Sequence, residues 1–165
     1  MKPNIGLSDS QLQGAVDVLN TLLSDEYVLY TKTRNYHWNV YGPQFNDLHK
    51  FFEEQYKDLD EIVDEVAERA RALGGWAAGT LAEFLENTRL DEEKNEYPDA
   101  GHMLSNLVAD HESVIRKLRV DLTTEGMENF LTDLLERHEK MAWMLRAFLE
   151  GEGSRIATGA AARHH

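Results

Sequence analysis

The stretch that decides the fold covers residues 36–75 and reads YHWNVYGPQFNDLHKFFEEQYKDLDEIVDEVAERARALGG. It carries His37, His49, Asp64 and Glu68, and all four side chains are ligand types for a hard or borderline divalent metal such as iron. If the segment that carries the last three forms one helix, the rise of 1.5 Å per residue separates His49 from Asp64 by about 22 Å. Within one chain, therefore, the four side chains cannot bind the same ion.

The two histidines can meet, because Tyr41-Gly42-Pro43 is a turn signal between them. In an antiparallel hairpin, His37 before the turn and His49 after it lie nearly level. Asp64 and Glu68 then lie opposite the beginning of the preceding helix, where the sequence offers no second set of ligands. We predict that a two-fold partner supplies the missing half, since a C2 contact lets residue i meet residue j and j meet i. Each dimer would then contain two inter-subunit metal sites.

Hydrophobic residues at helical spacing predict two long helices around this turn. The first opens with the capping-box spacing from Ser8 to Gln11 and continues to about Val40. The second begins after Pro43 and ends at Leu73-Gly74-Gly75, because glycine is the usual residue just past a helix C-terminus.

The remaining chain predicts two further long helices after a long connection. That connection, residues 74–98, contains its own short helix from Thr80 to Asn87. The third helix follows Pro98-Asp99, Gly126 separates it from the fourth, and Gly151 is predicted to end the fourth. A long crossover is typical of ferritin-like bundles. The predicted fold is therefore all-α: a ferritin-like four-helix bundle with a short extra helix between helices two and three.

Length and composition indicate one domain. The chain has 165 residues, of which 42% are hydrophobic, an ordinary content for a fold with a real core. We predict a single domain over residues 1–165 with its core at about 8–150. The small, low-complexity tail, about 152–165, is predicted to be disordered. The terminal His164-His165 could be natural or a remnant of expression.

The charge balance limits the classes of partner. Thirty acidic and 17 basic residues give a formal net charge of -13, which argues against nucleic acid and is compatible with attracting cations, although acidic surfaces also simply keep proteins in solution. The absence of cysteine excludes disulfides, zinc-thiolate sites and a cysteine nucleophile, and makes the reducing cytoplasm the simplest location. The sequence shows neither a signal-peptide pattern nor a long apolar run, so we expect neither secretion nor a membrane partner.

Five short motifs follow one another along residues 36–75: Tyr36-His37-Trp38-Asn39, Gly42-Pro43-Gln44-Phe45, Leu48-His49, Asp64-Glu65-Val66-Ala67-Glu68-Arg69 and Leu73-Gly74-Gly75. Together they resemble the Dps family, the mini-ferritins also called DNA-binding proteins from starved cells. The likeness extends over about residues 8–150 and includes the segment from His138 to Arg146 near the end of the last helix.

This resemblance implies a shell of twelve subunits with a di-iron ferroxidase site at each two-fold interface. His37 and His49 come from one subunit, while Asp64 as a terminal ligand and Glu68 as a bridging one come from its neighbour. Such proteins oxidise Fe(II), generally favouring hydrogen peroxide over oxygen, and store Fe(III) mineral in the cavity. The ordinary alternative is a packed histidine pair and a solvated acidic pair.

Two neighbours of the histidines are further candidates. Glu53, one turn after His49, could orient an imidazole or a water from the second shell, or be an ordinary exposed glutamate. Trp38 resembles the family's tryptophan near the iron site, which intercepts stray oxidising equivalents; otherwise it is a packing aromatic. Both interpretations of Trp38 predict a buried ring.

Acidic residues also cluster around the predicted turn between the third and fourth helices: Asp121, Glu125, Glu128 and Asp133. Family members carry acidic residues there that line a pore at a three-fold axis, although Asn129 stands where an aspartate is often found. A pore of this kind would concentrate Fe(II) through its field. The alternative is a solvated acidic turn.

Two rival functions remain open from the sequence. In the first, the protein binds DNA in the nucleoid and its iron chemistry is secondary. The terminal arms, however, offer only Lys2, Arg155 and Arg163, which predicts weak, salt-sensitive association at most.

The second rival is a metal-free structural bundle that uses a patch of Leu81, Phe84 and Leu85 for association.

The three remaining histidines of the helical core match no ligand position, and we predict that they are structural or exposed: His102, His111 and His138.

Overall fold

The computed structural model describes the backbone of residues 1–161 and the side chains of residues 1–150. It contains five helices: α1 (Asp9–Asn39), α2 (Phe45–Ala72), α3 (Leu81–Asn87), α4 (Ala100–Asp121) and α5 (Glu128–Ala161). Over the described backbone there is no β-strand, so the all-α prediction is confirmed. None of the described helices combines the length and the apolar character that crossing a membrane requires.

Local signals set the ends of the first two helices. Ser8 and Gln11 form the predicted capping box, in which each side chain accepts a hydrogen bond from the backbone N–H of the other residue. At the end of α2, Gly74 adopts a φ of 87°, and Gly75 N–H donates to the carbonyl of Ala70 at 3.1 Å. This bond and a second from Gly74 N–H to Arg71 form a Schellman motif, whose left-handed residue favours glycine.

The four long helices pack around one apolar core. Pairing of His37 with His49 shows that α1 and α2 are antiparallel, and the ion pair of Lys32 with Asp110 places α4 beside α1. Just past the C-terminus of α2, the backbone at Gly75 lies close against α1. An added Cβ there would lie 2.3 Å from Cγ1 of Val16. Every long helix contributes fully buried side chains, among them Leu19, Leu29, Phe52, Ile62, Leu107, Leu118, Leu131 and Leu145.

The connection between α2 and α4 is held against α1 by the short helix α3. Thr80 caps α3 through a capping box with Glu83, and the buried ring of Phe84 stacks on Tyr27 of α1 at 4.2 Å. Leu81 and Leu85 remain exposed. The sequence-based prediction of a patch that includes Phe84 is therefore wrong, because this side chain is used for packing within its own subunit.

The N-terminal segment lies against the bundle. A Cβ on Gly74 would meet the Pro3 ring at 2.6 Å, and one on Gly126 would meet Leu7 at 3.1 Å, so these residues pack closely on two interhelical turns. Lys2, the one basic side chain before α1, pairs with Asp9 at the start of that helix. Pro3 and Leu7 therefore hold the N-terminal segment against the subunit, while the rest of that segment, including Lys2, is exposed.

The last helix is longer than predicted. It continues through Gly151 to Ala161, so the predicted end at Gly151 is wrong. A glycine inside a helix costs only about 1 kcal/mol relative to alanine, and the good helix former alanine follows at positions 157, 160 and 161. The terminal His164-His165 lie outside the described residues.

Candidate metal centre

The hairpin of α1 and α2 brings His37 and His49 face to face. Their ring centroids are 3.9 Å apart and the rings are inclined by 18°. Nδ1 of His37 lies 2.6 Å from the backbone carbonyl oxygen of His49, and Nδ1 of His49 lies 2.8 Å from that of His37. The prediction that the two histidines lie level across the turn is confirmed.

These reciprocal bonds determine which nitrogen of each ring carries a proton. A carbonyl oxygen only accepts hydrogen bonds, so Nδ1 carries the proton and donates in each imidazole. The neutral ring then has its unshared electron pair on Nε2, the form in which histidine binds metals. Since the backbone of the hairpin holds both rings, the pair is oriented before any ligand arrives.

Aromatic side chains enclose the pair. Phe45 stacks on His49 at 5.1 Å, and Tyr56 meets His37 edge-on at 5.2 Å. His37 is 8% exposed. The sequence gave no reason to single out Tyr56, because its distance from His37 depends on how the two helices pack.

Trp38 lies outside this enclosure. Its ring is 62% exposed, so the predicted burial is wrong. The residue follows His37 on α1, and one helical step of about 100° turns its side chain away from the face that carries His37. The guanidinium of Arg34 lies over the Trp38 ring at 5.3 Å and over the Tyr56 ring at 4.9 Å.

Glu53 lies half-buried on the same face of α2 as His49. Its carboxylate pairs with Lys57 at 2.7 Å, and this hydrogen bond and charge are the main reasons that the pKa of Glu53 is lowered. The charges of His37 and His49 lower it further to a smaller extent. The carboxylate of Glu53 therefore lies near both imidazoles. That it orients an imidazole or a water stays a prediction.

Asp64 and Glu68 lie far from the histidines. Both are exposed on α2, and Asp64 follows His49 by 15 residues, about 22 Å of continuous helix. Among the described residues, no group of three or more histidine, cysteine, aspartate or glutamate side chains is placed to hold a metal ion. One subunit therefore carries an imidazole pair near one end of α2 and a carboxylate pair towards the other.

Two of the four acidic residues around the α4–α5 turn have partners within the subunit. Asp121 lies 3.7 Å from Arg89, and burial raises its pKa although Arg89 opposes the shift. Glu125 accepts a hydrogen bond from Gln11. Glu128 opens α5, and Asp133 is exposed one turn later. Their role as a pore stays a prediction.

Sequence reasoning missed one polar cluster altogether. Glu26, His138 and His111 are hydrogen-bonded in a row at the centre of the bundle, and all three are fully buried. The two histidines are structural, as predicted, whereas His102 is exposed at the start of α4. Nothing in the sequence singled out Glu26, because its partners are 112 and 85 residues away in the chain.

Comparison with known proteins defines the class. Residues 16–152 match the ferritin-like domain family. A low temperature-induced protein of Nostoc, itself uncharacterized, is 47% identical over 90% of this chain and 87% of its own length. The DNA protection during starvation protein 2 of Bacillus anthracis is 38% identical over 81% of this chain and 95% of its own.

Solved structures give the same class. The Dps protein of Vibrio cholerae, described as a ferritin-like diiron-carboxylate protein, superimposes with a TM-score of 0.81 at 32% identity, covering 90% of this chain and 96% of that one. Dps from Bacillus brevis superimposes with a TM-score of 0.79 at 34% identity, over 87% of this chain and 99% of that one. The bundle is a ferritin-like domain. Within that class, the chain belongs to the Dps family.

Proposed function

We propose that this protein is a Dps-type ferroxidase, which oxidises Fe(II) and stores Fe(III) mineral inside a hollow homo-oligomeric shell. The observation that carries this proposal is the imidazole pair of His37 and His49. Its Nδ1 protons are bound to backbone carbonyls, which leaves an Nε2 electron pair on each ring for a metal. A histidine pair that served packing alone would have no need of two free, preoriented ligand atoms.

The second half of the site comes from another copy of the chain. Asp64 and Glu68 of a second subunit, running antiparallel across a two-fold axis, would meet His37 and His49 of the first. Their two negative charges would offset the charge of Fe(II), and oxygen and imidazole nitrogen suit this metal. Each dimer would hold two such sites, with Glu68 bridging two irons and Asp64 as a terminal ligand.

The reaction proposed has iron as its substrate. Two Fe(II) ions give one electron each to hydrogen peroxide, the O–O bond breaks, and two protons complete two water molecules. Glu53 would accept hydrogen bonds from a water or an imidazole beside the irons. Asp121, Glu125, Glu128 and Asp133 would line a pore in a twelve-subunit shell and attract Fe(II).

Binding of DNA is not proposed. Lys2 is the one basic side chain of the N-terminal segment, it forms an ion pair with Asp9, and the chain carries a formal net charge of -13. Because DNA binding depends on free lysine and arginine, we expect no gel shift at physiological salt. A retained duplex under those conditions would restore the nucleoid alternative.

Complementation between two variants tests the shared site most directly. One chain carries His37→Ala and His49→Ala, the other Asp64→Asn and Glu68→Gln. Each assembly alone should oxidise Fe(II) at the rate of protein-free buffer. When the two chains are dissociated, mixed and reassembled, half of the dimers contain both, and each of these has one intact site, so about a quarter of the wild-type activity should return.

Two controls complete this experiment. His102→Ala, at an exposed histidine, should leave oxidation unchanged. Light scattering should show particles of the same size before and after mixing. A site within one chain predicts no recovery on mixing, and that result would defeat the proposal.

A further inference from the structure

A chain of three ionisable side chains crosses the centre of the bundle, away from the proposed iron site. Glu26 Oε1 lies 2.7 Å from Nε2 of His138, and Nδ1 of His138 lies 2.9 Å from Nδ1 of His111. The three residues, on α1, α5 and α4, are each 0% exposed. Glu26 precedes His37 on α1 by 11 residues, about 16 Å of helix, so the two sites are separate.

With Glu26 ionised, the hydrogen-bond pattern accounts for two imidazole protons. An ionised carboxylate only accepts, so Nε2 of His138 donates to Glu26. With His138 neutral, its Nδ1 accepts from Nδ1–H of His111. Both imidazole protons are then used, and the two atoms without a partner are Oε2 of Glu26 and Nε2 of His111.

One added proton fits this arrangement. If His138 becomes a cation against Glu26, its Nδ1–H donates to His111, which moves its own proton to Nε2, and both internal hydrogen bonds survive. A second proton does not fit. It would make His111 a cation beside cationic His138, at a ring separation of 5.1 Å and with both side chains fully buried.

Among the described side chains, no carboxylate other than that of Glu26 is bonded to either imidazole. On α2, Gln55 turns its amide to the carbonyl of Met141 and is uncharged. Burial, and then the charge of His138, lower the pKa of His111 well below its ordinary value. The charged residues adjacent in sequence to the three members of the cluster form ion pairs with other side chains. These pairs are Asp25 with Arg89, Asp110 with Lys32, Glu112 with Arg146, Arg137 with Glu61 and Glu65, and Glu139 with Arg119.

We propose that Glu26, His138 and His111 form an acid-sensitive lock of the four-helix bundle. The lock joins α1, α5 and α4 while at most one of its imidazoles is protonated, and it opens when both become cations. In the unfolded chain both imidazoles accept a proton near pH 6.5. In the folded bundle only one of the two imidazoles can become protonated. Acidification below that pH therefore draws the subunit towards the opened form.

Urea unfolding of the full-length protein at fixed concentration tests the lock. Below about pH 6.5, one refused proton lowers the folding equilibrium constant about tenfold per pH unit. His111→Gln keeps an N–H donor for His138 but cannot become a cation. Between pH 6.5 and 5.5 we expect the folding equilibrium constant of the wild type to fall about fivefold more than that of this variant, because the unfolded imidazole is already half protonated at pH 6.5. His102→Gln, which removes an exposed histidine, should follow wild type.

A second measurement covers the case in which His111→Gln does not fold. Deuterium exchange at the imidazole Cε1–H of the wild-type protein, followed by mass spectrometry across pH, reports the protonation of each histidine separately. His111 should show no titration from pH 7.5 down to the onset of unfolding, while His102 titrates. Titration of His111 near pH 6.5 in the folded subunit, or equal acid sensitivity of His111→Gln and wild type, overturns the proposal.

Discussion

Two histidine pairs in this subunit are used in opposite ways. His37 and His49 donate to backbone carbonyls and keep their Nε2 electron pairs free, whereas His138 has both nitrogens bonded to side chains, His111 and Glu26. The first pair lies at a hairpin end, and the second is fully buried among four helices. The comparison teaches that partners and burial, rather than residue type, decide whether an imidazole is available to a ligand or committed to the fold.

The largest effect should come from His37→Ala. Loss of one imidazole removes a metal ligand and also frees the carbonyl of His49. We expect Fe(II) oxidation, followed by absorbance of the Fe(III) product, to fall at least about a hundredfold, since even outer-shell changes cost about 10- to 100-fold. Oxidation at the wild-type rate by a folded variant would contradict the division between the two pairs.

Glu26→Ala should act on stability instead. It leaves the Nε2–H of His138 without its acceptor in the core, and an unsatisfied buried donor costs about 1–3 kcal/mol in the free energy of unfolding. Urea unfolding at pH 7.5 measures this loss. The rate of Fe(II) oxidation per folded subunit should stay at the wild-type value, and a parallel loss of oxidation would show that the two sites are coupled.

A pH titration should separate the pairs through a smaller effect. Protons compete with metal for the free nitrogens of His37 and His49, so binding of a non-oxidising probe such as Co(II) should weaken several-fold from pH 7.5 to pH 6. Circular dichroism of the same samples should show that the subunit is still folded. Unchanged calorimetric affinity over this range would argue that the probe binds elsewhere.

The smallest effect is expected from Tyr56→Leu. The tyrosine ring contacts His37 edge-on through its ring atoms, so its loss loosens the position of the imidazole and leaves the Nδ1 bond to His49 in place. We expect a drop of about threefold in Fe(II) oxidation, because a slightly misplaced ligand costs less than a missing one. Tyr97→Leu, at an exposed tyrosine of the connection, is the matched control.

The features predicted correctly from sequence are those with local causes. The Ser8 capping box, the glycines after α2 and the level histidines across Tyr41-Gly42-Pro43 follow from spacing alone. A cap or turn involves residues a few positions apart, so its signal survives without knowledge of the rest of the fold. The separation of His49 from Asp64 is equally local, because helical rise fixes it.

The features predicted wrongly depend on how the helices pack. Whether Trp38 is buried depends on what lies over one face of α1, and the position of Phe84 depends on Tyr27. The stop expected at Gly151 was wrong because a glycine ends a helix only where the backbone leaves the helical region, as it does at Gly74.

By itself, the sequence determined the helices, the hairpin and the distance of about 22 Å between His49 and Asp64, since periodicity and helical rise act along the backbone. Only the tertiary structure decided which nitrogen of His37 and His49 carries a proton. It also brought Glu26, His138 and His111 into hydrogen-bonding contact. The physical reason is that hydrogen-bond partners distant in the chain become neighbours when apolar faces pack together. Burial then sets the cost of charge at each imidazole.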